Sequence, residues 1–107
     1  MSTVIDRVLA ALNAHDLEAF VACYNLDATI EDGYDQVLAR GHEEIRGRYA
    51  PIFETFPILH VEGIERWMVG SFVVQQEQVT GRAPEPERHI AVYQVQNELI
   101  VRERLLR

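Results

Sequence analysis

ILHVEGIERWMVGSFVVQQEQVTGRAPEPERHIAVYQVQNELIVRERLLR, residues 58–107, reads almost throughout as strand, interrupted by three turn signals. Residues 58–67 lead into Val69-Gly70-Ser71. Residues 72–80 end at the connection Gly81-Arg82-Ala83-Pro84-Glu85-Pro86. Residues 88–96 and 99–104 flank Gln96-Asn97-Glu98. Links this short join antiparallel neighbours, so the stretch predicts a meander. A sheet of that size needs cover for an apolar face, and the only helical material lies upstream. The expected class is α+β, with N-terminal helices packed on a bent antiparallel sheet.

Upstream, Ser2 or Thr3 can cap a first helix, with Asp6 favouring its positive end and Val4, Ile5, Val8, Leu9 and Leu12 forming one stripe. Asn13-Ala14-His15 interrupts that stripe. Asp16 then caps a second helix in which Leu17, Phe20, Val21 and Tyr24 share a face. Ala28-Thr29-Ile30-Glu31-Asp32 alternates with period two, which puts Asp32 on the apolar side of a short strand. Residues 33–41 read as a loop carrying Tyr34. Gly41 opens a third helix with Glu43 and Glu44 in its first turn and Ile45, Tyr49, Ile52, Phe53 and Phe56 on one face. Pro51 crowds the carbonyl four residues earlier, and because that residue is Gly47 the expectation is a kink, not a break.

The 107 residues suit one domain, and 48% hydrophobic with 25% charged content is the balance of a globular chain. Cys23 stands alone, so no internal disulfide forms and a reducing, cytoplasmic setting is expected. The first residues lack a cationic start followed by an apolar run, and no stretch approaches the ~20 apolar residues of a membrane span. A net charge of -7, spread along the chain, repels phosphate backbones and anionic lipid, so neither nucleic acid nor membrane is an expected partner. All ten basic residues are arginine. Without lysine there is no Schiff-base chemistry on a side-chain amine and no Walker-type phosphate loop. His15, His42, His60 and His89 show no metal-ligand spacing, neither serine lies in a nucleophile elbow, and no dinucleotide fingerprint occurs. The expected chemistry is acid and base work, with no metal and no cofactor.

Both faces of the sheet carry apolar groups. Phe72 and Val74 oppose Val73 and Val79, and Ile90 and Val92 oppose Ala91, Tyr93 and Val95. Three helices cannot cover both faces, so a second copy of the chain is expected on the outer one, giving a homodimer.

Three segments together resemble the nuclear transport factor 2-like superfamily, in particular its SnoaL-like and ketosteroid-isomerase-like members. They are residues 10–20 with the Asn13-Ala14-His15-Asp16-Leu17 junction, residues 24–32, and the Gly41-His42-Glu43-Glu44-Ile45-Arg46 helix start. The resemblance continues loosely to His89-Ile90-Ala91-Val92-Tyr93-Gln94-Val95 and so spans residues 1–107 as one domain. It implies a cone-shaped sheet wrapped around the helices, a mostly apolar cavity for a small apolar molecule, and frequent dimerisation. It does not imply one activity, since members include isomerases, cyclases, dehydratases and non-catalytic binding domains. Asp32 matches the proton-moving carboxylate of the isomerases. Their two oxyanion donors correspond to Val8 and Ala91, which cannot donate, and His89 and Tyr93 share the strand face of Ala91 and are the natural substitutes. Tyr24, Tyr34, Tyr49, Phe53, Trp67, Gln75 and Glu77 are candidate pocket residues. For Glu77, solvation or a pair with Arg88 or Arg102 is the plainer expectation.

Overall fold

Thr3 begins the first helix by a reciprocal cap: its hydroxyl accepts from the Asp6 amide at 3.2 Å and its own amide donates to the Asp6 carboxylate at 3.2 Å. The computed structural model describes residues 3–107; Ser2, the other cap candidate, lies outside the described residues. Helix α1, Val4–Asn13, buries Val4, Ile5, Val8, Ala11 and Leu12, the expected stripe with Ala11 in place of half-buried Leu9. Asp16 accepts from the Ala19 amide at 3.1 Å and starts α2, Leu17–Val21. That helix is shorter than the apolar spacing suggested, because Tyr24 already belongs to the first strand, β1, Tyr24–Asp32.

A strand, β2, Val37–Arg40, replaces the later part of the expected loop. After the turn at residues 33–36 it folds back on β1, pairing Ile30 with Ala39 and Thr29 with Arg40. Helix α3, Gly41–Thr55, runs through Pro51, whose ring meets no side chain at Gly47. The meander follows as β3, His60–Val69, β4, Phe72–Thr80, β5, Glu87–Gln96, and β6, Leu99–Leu106.

All six strands form one curved, unclosed sheet in the order β2-β1-β6-β5-β4-β3. Every pairing is antiparallel except β1 with β6, which is parallel and sets Ile30 beside Glu103 and Asp32 beside Leu105. The helices cover the concave face. Asn13 ties α1 to β3 by donating to the Val61 carbonyl at 2.9 Å and accepting from its amide at 2.8 Å, and His15 Nε2 meets the Leu59 carbonyl at 3.0 Å. Phe20, Tyr49 and Phe53 pack ring on ring beneath them, with His15 stacked on Phe53. On β4 the inward set is Val73, Gln75, Glu77 and Val79, so half of a buried strand face is polar. The convex face leaves Trp67, Val69, Phe72 and Ile90 exposed. No helix among the described residues is long and apolar enough to cross a membrane.

Candidate active site

Between α1, α3 and the concave sheet lies a cavity of about 80 Å³. Val8 and Leu12 of α1, Ile52 of α3 and Val61 of β3 give it apolar walls. Its polar wall comes from three adjacent strands, with Glu77 from β4, His89 and Tyr93 from β5 and Glu103 from β6, and Tyr24 of β1 behind them. Strand pleating explains the grouping: Glu77 is opposite His89 and Tyr93 opposite Glu103 in the ladders, so their side chains leave one face as cross-strand neighbours.

Glu77 is only 2% exposed and is an acceptor for three neighbours. Its Oε2 accepts from the Tyr93 hydroxyl at 2.6 Å and from the Gln75 amide at 2.8 Å, while Oε1 meets His89 Nε2 at 2.9 Å. With Glu77 accepting, His89 is assigned as donating through Nε2, which keeps the ring's lone pair at Nδ1. Behind Gln75 the chain of bonds continues outward. Arg66 donates to the Gln75 carbonyl oxygen at 2.7 Å and to Asp6 at 2.8 Å, so a line of polar groups runs from the first turn of α1 to the cavity wall.

Glu103 has a different environment. It is 4% exposed, and its Oε1 accepts from the Tyr24 hydroxyl at 2.6 Å. No salt bridge compensates it among the described residues. Burial pushes its carboxyl up to about 8 against an ordinary 4.5; the Tyr24 bond opposes that rise, and the charge of Glu77 adds to it. At neutral pH it is therefore chiefly a carboxylic acid, a donor as well as an acceptor. Burial also drives the hydroxyls of Tyr24, Tyr49 and Tyr93 above the ordinary phenol range, so all three stay protonated.

Of the three residues expected to carry chemistry, His89 and Tyr93 line the cavity together and Asp32 does not. Asp32 is half-buried at the end of β1, where its Oδ1 accepts from the amides of Tyr34 at 2.8 Å and Gln36 at 3.0 Å and so fixes the turn into β2. It lines an adjoining cleft with Tyr34, Leu38 and Leu105. Tyr93 is present, but its proton is committed to Glu77. Among the aromatic candidates Tyr24 and Tyr49 reach the cavity, Phe53 packs in the core behind it, Tyr34 is 89% exposed, and Trp67 lies outside on β3. Gln75 is buried one bond back from the wall. The expected solvation or arginine pairing of Glu77 is corrected: Arg88 bonds Gln78 and Arg102 bonds Glu31, both on other sides of their strands. No cluster of three or more His, Cys, Asp or Glu side chains suited to a metal occurs among the described residues.

The profile of the SnoaL-like domain matches residues 5–103, nearly the whole chain. The chain belongs to the SnoaL-like family. Solved structures agree on the architecture of this SnoaL-like domain. A cystatin-fold protein from Novosphingobium aromaticivorans is 28% identical, with a TM-score of 0.87 over 97% of this chain and 95% of that one. A protein from Sinorhizobium meliloti, described as a candidate polyketide cyclase, superposes with a TM-score of 0.85 at 18% identity over 98% and 94%. A third, from Catenulispora acidiphila, has a ketosteroid-isomerase-like fold and was solved with trimethylamine; its TM-score is 0.79 at 20% identity over 97% and 85%. The cystatin-like, nuclear transport factor 2-like cone expected from the sequence is the fold these structures share.

Glu103 is the residue that sequence reasoning missed in this SnoaL-like domain. It stands between Arg102 and Arg104, where an acid looks like one member of a solvated charge run. One signal was available, its period-two spacing from Leu105. The bulge in the β5–β6 ladder near Val95 and Ile100 broke the frame that would have extended that spacing inward. Gly63 guards the other end of the network. A Cβ there would lie 2.8 Å from Gln75 Oε1, which Arg66 holds in place, so Gly63→Ala is expected to lower stability by about 1 to 3 kcal/mol. A urea titration measures the shift; an unchanged midpoint would mean that Gln75 is free to move.

Proposed function

We propose that this SnoaL-like domain binds a small, mostly apolar carbonyl compound and moves a proton beside that carbonyl, as a cofactor-free isomerase, cyclase or dehydratase working in the cytoplasm. The observation that carries this reading is Glu103, a buried carboxyl that lines the cavity, holds its proton at neutral pH and is bonded by Tyr24 at one oxygen only. A neutral acid in a largely apolar pocket is a suitable donor toward a developing oxyanion, and loss of such a donor typically costs ~100- to 1,000-fold in rate. His89 on the same wall supplies the base through Nδ1, with Glu77 orienting the ring and stabilising the cation that forms. The base role passes from Asp32 to this pair because Asp32 Oδ1 is occupied by the turn. Volume restricts the substrate. A cavity of about 150 Å³ holds benzene, so about 80 Å³ suits only a fragment smaller than that ring, and a steroid nucleus is excluded. The Sinorhizobium neighbour's description supports carbonyl chemistry by analogy of fold alone.

The test uses 2-butanone in heavy water, followed by proton NMR. Exchange of the hydrogens beside the carbonyl is expected with the wild type and is expected to fall ~100-fold or more in Glu103→Leu and in His89→Phe. Binding without exchange would favour the alternative, a non-catalytic ligand-binding or dimerisation module, to which the commitment of the Tyr93 proton to Glu77 already points. For assembly, the exposed Trp67, Val69, Phe72 and Ile90 of the convex face favour a homodimer through that face. Sedimentation at micromolar concentration is expected to give about twice the 12.3 kDa of one chain. A species of single-chain mass would remove the dimer.

A further inference from the structure

Five of the ten arginines hold a carboxylate. Arg46 pairs with Glu18, Arg66 with Asp6, Arg82 with Glu87, Arg102 with Glu31 and Arg104 with Asp35. Arg48 forms none of these pairs, although it is half-buried. It projects from α3 beside buried Tyr49, and its Nε is buried with no hydrogen-bond partner. It lines both the cavity and the adjoining cleft of about 460 Å³, and so does Arg107. Among the described residues no acid near this junction forms a salt bridge with either arginine. Glu77 is engaged by three donors, Glu103 carries its own proton, and Asp32 is tied to the turn through Oδ1. In a chain of net charge -7, Arg48 and Arg107 thus set two guanidinium groups at the passage between cavity and cleft.

We infer that Arg48 is the anchor for a carboxylate on the substrate, and that the ligand class is a small oxo acid whose carbonyl end enters the cavity while its carboxylate stays at the junction with the cleft. This rests on the carbonyl reading above and narrows it. A guanidinium suits the role because its planar donors bind both carboxylate oxygens at once, and a helix holds the side chain's base in place. The arrangement also resolves the size problem, since the apolar cavity needs to admit only the ketone end while the cleft accommodates the rest.

Titration by calorimetry with 4-oxopentanoate, its methyl ester and 2-butanone separates the claims. The acid is expected to bind the wild type about 10-fold or more tightly than the ester, and Arg48→Gln to remove that preference while leaving ester affinity within about 2-fold. Arg48→Lys is expected to restore part of it. Equal affinity of acid and ester for the wild type, or an acid preference that survives in Arg48→Gln, overturns the inference. If 2-butanone binds but the acid gains nothing, the anchor fails and the carbonyl reading stands; if none of the three binds, both fail. If Arg48→Gln does not fold, Arg48→Lys decides, because a point charge cannot bind both carboxylate oxygens: an acid preference left at the wild-type value there overturns the inference.

Discussion

Glu103→Gln is expected to make the protein more stable than the wild type at pH 9 and to lose that advantage by pH 4. In the unfolded chain the Glu103 carboxyl titrates near its ordinary 4.5, and in the folded one near 8. Below 4.5 both states are protonated and the residue carries no penalty. Between the two values the unfolded chain releases a proton that the folded chain retains, so stability falls as pH rises and levels off above 8. The separation corresponds to about 5 kcal/mol across the window, comparable with the whole stability of many domains of this size. Glutamine keeps the acceptor for Tyr24 and cannot ionise. Urea midpoints of both proteins from pH 4 to pH 9 provide the check, read as their difference, because carboxylates held low by arginines, such as Glu31 beside Arg102, weaken both proteins alike in acid. Parallel curves would mean that Glu103 titrates normally and would remove the neutral acid from the site.

Glu77→Ala is the second large effect. Truncation would leave the Tyr93 hydroxyl, the Gln75 amide and the His89 N–H facing a small void with no acceptor. Unpaired buried donors of this kind bring the expected loss to about 3 to 5 kcal/mol. For a domain near 100 residues this is a fall in melting temperature of about 12 °C or more. Glu77→Gln keeps one acceptor oxygen and is expected to lose less, about 1 to 3 kcal/mol. A thermal melt of each variant measures the order. A drop below about 4 °C for Glu77→Ala would mean that water replaces the carboxylate, and hence that the cavity is wet at this wall.

The parts legible in the sequence were those set by local chemistry. The Thr3 and Asp16 caps, the stripe of α1 and the alternation of β4 and β5 depend on near neighbours, and each lies where spacing put it. What escaped depends on distant partners. Val37-Leu38-Ala39-Arg40 is too short to show a period, and it is a strand because β1 lies beside it after the turn. Tyr24 fits the helical face of α2 equally well, and pairing with Ile100 draws it into β1. The same held at the site. His89 and Tyr93 could be put on one wall by counting in twos, whereas Glu103 had only its spacing from Leu105 to mark it, and its place on that wall comes from pairing with Tyr93 across a bulged ladder.

That insertion has a consequence for how the chain is made. The last strand of the fold occupies an inner position of the sheet, between β1 and β5. As the polypeptide leaves the ribosome, α1, α2 and the β1–β2 hairpin emerge first, and the surface they must join is divided from them by a gap that only residues 99–106 can fill. The β1–β2 hairpin therefore waits with an open edge until residues 99–106 have emerged. Such a chain cannot secure its first half as it goes, and its exposed strand edges at that stage are where a chaperone would be needed most.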